Sequence, residues 1–234
     1  MLIGVTGQCI DSLGYKRIAG AGKDVVAKRL VDNHNFISLA WADPLKRFCK
    51  EVYEFPDEAL WGESDARVLP DKRYPRPEGG FLTPRFALQS LGTDWGRNCY
   101  LNTWVDYGIR TAKRILGGQY YTPKNGLSIF EPGGRKKPKG VVFSDVRFMN
   151  ELSAIKEAGG KVVRIKRQIG TPYDAEAMNL LHDSETELPN TPDELFDYII
   201  DNSGTLDDLM IKIDNMVEEL RYVSNSATII QAKD

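Results

Sequence analysis

The 234-residue sequence is poor in the residues that form disulfides and histidine metal sites. It has three cysteines, Cys9, Cys49 and Cys99, with no Cys-x-x-Cys pair among them, and two histidines. An odd number of unpaired cysteines favours reduced thiols and therefore an intracellular, cytoplasmic protein. A metal site built from histidine is not favoured.

Long apolar runs and an excess of one charge are also missing. No stretch approaches the ~18 apolar residues of a membrane span, and the first residues lack the pattern of a signal peptide. The formal net charge of −2 argues against binding nucleic acid through an overall basic field. With 41% hydrophobic and 27% charged residues, the composition is that of a globular protein. We expect neither a membrane nor a stable nucleic-acid partner.

What the sequence does contain is an alternation of short apolar runs with helical patterns. Apolar runs predict five strands, over residues 2–6, 36–40, 140–145, 161–167 and 196–202. The other pattern predicts core helices over 23–34, 43–53, 148–158 and 205–222. This alternation predicts an α/β fold, an open parallel sheet flanked by helices.

One domain is expected over residues 1–222, with a tail at 223–234. Its core comprises 1–61 and 140–222, and residues 62–139 are interpreted as a helical insertion that binds substrate. Within the insertion we expect a loop over 62–84, mostly helix over 83–116, and a hairpin or excursion over 117–139. The polar segment at about 168–192 is interpreted as a lid.

The stretch Gly20–Lys23 at the start of a helix predicts a phosphate-binding loop. Glycines let backbone N–H groups approach an anion, a helix N-terminus favours negative charge, and a lysine spans the outer phosphates. Asp24 stands where this motif has Ser or Thr, and a carboxylate can ligate Mg²⁺. Arg17 stands at the position of the motif's first glycine, so residues between Gly7 and Gly20 must bulge out. The alternative is a glycine-rich turn followed by a solvated Lys–Asp pair.

A second carboxylate, Asp145, ends the predicted strand over 140–145, with Arg147 and Glu151 close behind it. Ligands bind at the carboxyl ends of strands in open α/β sheets, and a guanidinium can grip a phosphate with two hydrogen bonds. The segment therefore favours a metal-directed carboxylate beside a phosphate-directed arginine. The alternative is an aspartate that caps a helix, followed by an exposed Arg–Glu pair.

Several motifs together resemble the deoxynucleoside monophosphate (dNMP) kinases of tailed bacteriophages. They are "GKD", "ADPLK", "LQSLGTD", "SDVRFMNE", "H-x-SE" and "DYIIDNSGTLDDL", in order between residues 2 and 216. The resemblance implies a P-loop fold similar to nucleoside monophosphate kinases. It also implies Mg²⁺-dependent transfer of the γ-phosphoryl group of ATP to a dNMP, giving dNDP and ADP in phage nucleotide metabolism, by an enzyme that often forms homodimers.

Residue roles follow from the motifs and the resemblance. We expect ATP to contact Gly20, Ala21, Gly22, Lys23, Asp24 and Val25, and Mg²⁺ to bind Asp24 and Asp145. We expect the dNMP to contact Leu45, Lys46, Arg85, Gly92, Thr93, Asp94, Trp104, Asp145, Arg147 and Glu151. Lys23, Arg85, Arg147 and Arg167 are the expected catalytic residues, with Arg167 reaching in from the lid. His182 and Glu185 match "H-x-SE", an element with no assigned role.

Two other functions remain open at this point. The same fold can phosphorylate another small phosphorylated metabolite, as phosphomevalonate kinases do, and these resemble the chain at Gly-Lys-Asp. The other function is that of a non-enzymatic, nucleotide-dependent binding module that uses the 117–139 excursion. The "LQSLGTD" segment and Trp104 favour a nucleobase, whereas "RKKPK" at 135–139 lacks the interleaved aromatics of a nucleic-acid site.

Overall fold

The computed structural model describes residues 1–62, 64–128, 137–174 and 183–231. Its strands are β1 (Leu2–Ile10), β2 (Lys16–Arg17), β3 (Phe36–Leu39), β4 (Asp71–Pro75), β5 (Phe81–Leu82), β6 (Tyr120–Thr122), β7 (Gly126–Ser128), β8 (Gly140–Phe143), β9 (Lys161–Gln168) and β10 (Tyr198–Asp201). Its helices are α1 (Lys23–His34), α2 (Asp43–Tyr53), α3 (Asp57–Trp61), α4 (Pro84–Gln89), α5 (Thr103–Leu116), α6 (Met149–Glu157), α7 (Asp183–Thr186) and α8 (Leu206–Gln231). A π-helical segment, Ser90–Arg97, follows α4.

The chain divides into two compact units, one of residues 1–38 with 138–234 and one of residues 39–137. The first unit contains a sheet in the order β10-β9-β1-β8-β3. β1 runs parallel to both of its neighbours, β8 and β9, and β9 runs parallel to β10. The expected mostly parallel α/β sheet is confirmed.

Helices cover both faces of this sheet because the strands are apolar on both faces. On one face, Val26 and Leu30 of α1 and Ile213 of α8 join a buried cluster with Val5 of β1. On the other face α6 packs so closely that a Cβ on Gly4 would lie 2.6 Å from Ile155 Cδ1. The periodic apolar residues of each helix thus explain its placement.

The strand order creates a crevice at the carboxyl ends of β1 and β8. From β1 the chain crosses to β3 on one side, and from β8 it crosses to β9 on the other. Connections that leave neighbouring parallel strands in opposite directions open a space between them, where ligands bind in such sheets. The loop before α1 and the turn before α6 lie at this point.

Arg164 of β9 is fully buried and ties the segment after α7 to the sheet. Its guanidinium donates to Asp193 Oδ1 at 2.7 Å and to Thr191 Oγ1 at 2.7 Å, and stacks 3.7 Å from the centre of the Phe196 ring. Burial lowers the pKa of Arg164, an effect that the Asp193 carboxylate opposes. Arg164 therefore holds the segment before β10 in place.

The second unit is built from α2–α5, the π-helical segment and two hairpins, β4–β5 and β6–β7. β6–β7 is the hairpin expected within 117–139. Residues 62–84, predicted as a loop, also contain β4–β5, and the break expected near Leu-Gly-Thr-Asp is a π-helical stretch rather than an interruption. A cluster of Cys49, Phe55, Leu60 and Ala87 forms its core.

Two boundaries differ from the sequence expectation. The compact second unit begins at Leu39 rather than at residue 62, because it includes α2 and α3. Helix α8 extends to Gln231, so the expected tail at 223–234 begins as a continuation of this helix. Residues 175–182 of the expected lid, including His182, lie outside the described residues. None of the helices in the described ranges is long and apolar enough to cross a membrane.

Candidate functional site

The excursion between Gly7 and Gly20 is a β-hairpin. β1 continues past Gly7 to Ile10, and the chain turns and returns as β2, with Cys9 paired to Arg17 and Ile10 to Lys16. The carboxylate of Asp11 closes the turn, where its Oδ1 accepts hydrogen bonds from the N–H groups of Leu13 and Tyr15 at 2.9 and 2.7 Å. A Cβ on Gly7 would lie 2.3 Å from the carbonyl oxygen of Ile18. The chain after the hairpin therefore returns to Gly7.

With residues 8–17 folded out as this hairpin, Gly7 is followed in space by Ile18–Ala21 and then by Gly22 and Lys23. This is the Gly-x-x-x-x-Gly-Lys spacing of phosphate-binding loops. Gly20 and Gly22 have φ angles of +86° and +98°, a region that favours glycine. In the linear sequence Arg17 stands at the position of the motif's first glycine. In the folded chain, Gly7 takes that position.

Two side chains from distant parts of the sequence hold this loop. Asn202, just after β10, donates from Nδ2 to the carbonyl oxygen of Ala21 at 2.9 Å. Arg167 of β9 reaches the carbonyl oxygen of Gly20 at 3.4 Å. Lys23, Asp24 and Val25 form the first turn of α1, with the N–H of Val25 donating to Gly22 O at 3.1 Å. Arg167 was expected at this site, whereas Asn202 was missed, although it ends a predicted strand as Asp145 does.

Lys23 lies between two carboxylates. Its Nζ is 3.0 Å from Asp24 Oδ1 and 3.2 Å from Asp145 Oδ1. Burial alone would lower the pKa of Lys23, but the carboxylates of Asp145 and Asp24 outweigh it and raise that pKa. Burial likewise works against ionised Asp145, and the nearby Arg147 and Lys23 nevertheless hold its pKa below the usual value. Lys23 and Asp145 therefore both carry charge at neutral pH.

Arg147 continues this chain of charges. Its Nε donates to Asp145 Oδ2 at 2.7 Å, and its Nη1 pairs with Glu185 Oε1. Burial would lower the pKa of Arg147, but Asp145 and Glu185 reverse the effect and raise it. Glu185 also accepts the N–H of Ala19 on its Oε2 at 3.2 Å. The sequence motif singled out Glu185, but its role emerges only from these contacts.

Glu151 supports the turn that carries Arg147. It is 6% exposed, and its Oε2 accepts from the N–H groups of Arg147 and Phe148 at 2.7 and 3.2 Å. Burial raises the pKa of its carboxyl group to about 8. Glu151 thus caps α6 from within and is not part of an exposed Arg–Glu pair. Its direct contact with a substrate remains a prediction.

The carboxylates of Asp24 and Asp145 suit Mg²⁺ better than they suit a metal ion that is bound only by protein side chains. Within the described ranges, no three or more His, Cys, Asp or Glu side chains gather around a common point. Mg²⁺ needs only one or two carboxylates, since waters and substrate phosphates complete its shell. Asp24 and Asp145 supply two hard oxygen donors beside one ammonium group, so this donor set fits Mg²⁺.

In the second unit, Leu45 and Trp104 line one cavity of about 550 Å³. Its other lining residues are Pro44, Phe48, Leu91 and Trp95. Asp94 lines a neighbouring cavity of about 490 Å³, which shares Phe48, Leu91 and Trp95 with the first. Aromatic and aliphatic walls with few polar groups are typical of sites for small flat molecules.

Trp104 stabilises the π-helical segment that carries Gly92, Thr93 and Asp94. Its indole N–H donates to the carbonyl oxygen of Gly92 at 2.9 Å, and a Cβ on Gly96 would lie 2.4 Å from its ring. Trp95 is 56% exposed, and its ring lies 6.2 Å from that of Trp104. Contact of Trp104 with a base stays a prediction, and the folded segment adds Trp95, an indole that faces solvent, as a second candidate.

Lys46 and Arg85, the expected phosphate ligands of the second unit, are not among the residues that line these two cavities. Lys46 is half-buried on α2, and Arg85 is exposed on α4. Leu45, by contrast, lies close to Gly92, since a Cβ on Gly92 would be 3.8 Å from Leu45 Cδ1. The structure thus groups Leu45 with the Gly92 segment, whereas neither Lys46 nor Arg85 lines the two cavities.

Comparison with known proteins gives one clear relative. The chain matches no protein-family profile. A protein of Acanthamoeba polyphaga mimivirus named "Putative deoxynucleotide monophosphate kinase" is 33% identical over 199 residues, which cover 85% of this chain and 92% of that protein. An alignment of this length includes residues of both compact units, so the similarity is not confined to the loop before α1.

Proposed function

Because the chain belongs to the deoxynucleotide monophosphate kinase family, we propose that it transfers the γ-phosphoryl group of ATP to a dNMP, giving dNDP and ADP. The observation that carries this proposal is the spatial continuity of Gly7 with Ile18–Lys23, which restores a phosphate-loop spacing that the linear sequence interrupts. ATP is the phosphoryl donor, and the dNMP is the acceptor.

The first unit supplies the donor side. The N–H groups of the loop and the N-terminus of α1 favour an anion at this position. Lys23 is charged and directed to the crevice by Asp145 and Asp24, and it is well placed to contact the outer phosphates. Arg147 brings a second cation to the same strand ends, as a reaction that spreads negative charge over a phosphoryl group requires.

Asp24 and Asp145 would hold Mg²⁺ here. When bound, Mg²⁺ neutralises charge on the phosphate oxygens. The chain's own groups have separate tasks: the loop N–H groups and Lys23 orient the donor, and Arg147 faces the transferred group. Arg167, which contacts Gly20 O, lies at the edge of the same loop, where it can contact the donor. None of these groups needs to move a proton at neutral pH.

The second unit supplies the acceptor side in this proposal. The cavity lined by Leu45, Trp95 and Trp104 suits the flat, apolar faces of a nucleobase, which stack on aromatic rings. This lining favours a nucleotide over an aliphatic phosphorylated metabolite. Lys46 and Arg85 remain predictions as ligands of the acceptor phosphate, since both are placed on helices of this unit without lining the cavity.

Three finer points stay predictions. Phage nucleotide metabolism and cytoplasmic location rest on the sequence resemblance and composition, and the mimivirus relative supports the family without supporting a phage origin. The homodimer also rests on the resemblance. Sedimentation velocity of the purified chain checks it, with a mass near twice 26.3 kDa as the expected result.

The test is a coupled ADP-release assay with ATP, Mg²⁺ and each of dAMP, dGMP, dCMP and dTMP. We expect ADP release that depends on at least one dNMP and falls about 10²- to 10³-fold in Lys23→Met. Background rates with all four acceptors would overturn the proposal. Turnover with phosphomevalonate alone would move the chain to the alternative kinase class. Nucleotide-dependent DNA binding without turnover would point to a binding module.

A further inference from the structure

Glu185 connects the loop before α1 to Arg147. One carboxylate oxygen, Oε2, accepts the N–H of Ala19 at 3.2 Å, and the other, Oε1, pairs with Nη1 of Arg147. The backbone carbonyl of Glu185 accepts the N–H of Ile18 at 3.0 Å as well. A single residue of α7 thus fixes both the entrance of the loop and a cation that faces it.

Two carboxylates hold the guanidinium of Arg147 from different sides. Asp145 takes Nε and Glu185 takes Nη1, so rotation of the side chain would break at least one charge-assisted hydrogen bond. Nη1 also donates to the carbonyl oxygen of Ser184 at 3.4 Å, and the side chain of Arg147 is 26% exposed. The guanidinium is therefore held in one orientation while part of it stays open to solvent.

We propose that Glu185 is a positioning residue for phosphoryl transfer: it sets the Arg147 guanidinium at a fixed place relative to the N–H groups of the loop. This inference rests on the proposed function, since it assigns how Arg147 is aimed at the transferred phosphoryl group. Preorganised cations accelerate such a reaction because they need not reorient when charge develops. Glu185 itself touches no reacting atom.

The carboxylate is needed because one side chain must accept from two donors. An amide at this position has one oxygen and one N–H₂ group, and the latter cannot accept from either Ala19 N or Arg147. Glu185→Gln therefore keeps the size of the side chain and breaks one of the two links. Glu187→Gln is the matched control: Glu187 is on the same segment, its Oε1 accepts the N–H of Met149 at 2.7 Å, and it does not contact Arg147.

The experiment compares kcat, KM for ATP and KM for the best dNMP in wild type, Glu185→Gln and Glu187→Gln. We expect kcat to fall about 10- to 100-fold in Glu185→Gln, because a misplaced catalytic group slows the reaction by about this factor. Both KM values should stay within about threefold of the wild-type values. Glu187→Gln is expected to keep the wild-type kcat. Melting temperatures of all three variants check that the loss is not unfolding.

A double-mutant cycle separates positioning from a structural role. If Glu185 acts through Arg147, adding Glu185→Gln to Arg147→Ala lowers kcat no further. The inference would be overturned if the effects of the two substitutions on kcat multiply in the double mutant. It would also be overturned if Glu185→Gln leaves kcat unchanged, with or without tighter ATP binding. Absence of turnover in wild type would instead refute the proposed function, so the two failures are distinguishable.

Discussion

Lys23 and Asp145 form an ion pair across the crevice, with Nζ 3.2 Å from Oδ1, although Lys23 begins α1 and Asp145 follows β8. Burial works against both charges, but Asp145 and Asp24 raise the pKa of Lys23, and Arg147 and Lys23 lower the pKa of Asp145. The pair brings a lysine at the start of a helix beside a carboxylate at a neighbouring strand end.

Lys23→Met is expected to lower kcat by about 10²- to 10³-fold, because it removes a cation from the transferred phosphoryl group while keeping the length of the side chain. The coupled ADP assay measures it. The fold should survive, although Asp145 then loses one of its two cationic partners and keeps Arg147. A variant that retains at least a third of the wild-type kcat would remove Lys23 from the phosphate site.

Gly7→Ala is expected to weaken ATP binding at least about tenfold. A Cβ at this position would lie 2.3 Å from Ile18 O and 2.9 Å from Ala21 Cβ, so the loop must move away from β1. Isothermal titration with ATP measures the effect. Gly170→Ala is the control, since a Cβ there meets nothing within 4 Å. Equal affinity in the two variants would mean that Gly7 does not shape the loop.

Glu151 is expected to make stability depend on pH. Its pKa rises from 4.5 to about 8 on folding, so the folded chain keeps a proton that the unfolded chain has released. This contribution to stability is fully present below about pH 4.5 and is lost as the pH rises through about 8. The melting temperature of wild type should therefore fall relative to that of Glu151→Gln between about pH 5 and pH 8. Parallel curves would contradict the raised pKa.

Trp95→Leu is expected to raise KM for the dNMP about 5- to 100-fold, because base stacking on an aromatic ring contributes about 1–3 kcal/mol. KM for ATP should stay unchanged, since Trp95 belongs to the second unit and lines its cavities. Phe81→Leu is the control, an exposed aromatic of the same unit outside both cavities. If Trp95→Leu and Phe81→Leu give the same KM, stacking on Trp95 is refuted.

Local patterns were enough to predict several elements. α1 over 23–34 and α2 over 43–53 have the predicted bounds, because glycine before Lys23 and proline after Asp43 mark helix starts within a few residues. The order of strands and helices likewise predicted the parallel sheet. These features depend on neighbours in the sequence, and a single sequence contains that information.

Other parts of the site depend on residues that are far apart in the chain. The hairpin pairs β2 with the end of β1, and nothing in the sequence of 8–19 fixes that register. Asn202 and Glu185 reach the loop from positions far along the chain, through the strand order and α7. Trp95 lies on the π-helical segment, where periodicity based on the α-helix gives no guide to which side chains face solvent.

The hairpin also bears on how such loops are recognised. β9 occupies one side of β1 as far as Ile10, whereas β8 pairs only up to Gly4, so β2 covers the edge that β8 leaves open. An inserted segment of this kind adds its own hydrogen-bonding partners and leaves the glycine and lysine neighbours in space. A search for an uninterrupted string of letters passes over this chain, whereas a search for backbone adjacency between a strand-end glycine and a helix-start lysine finds it.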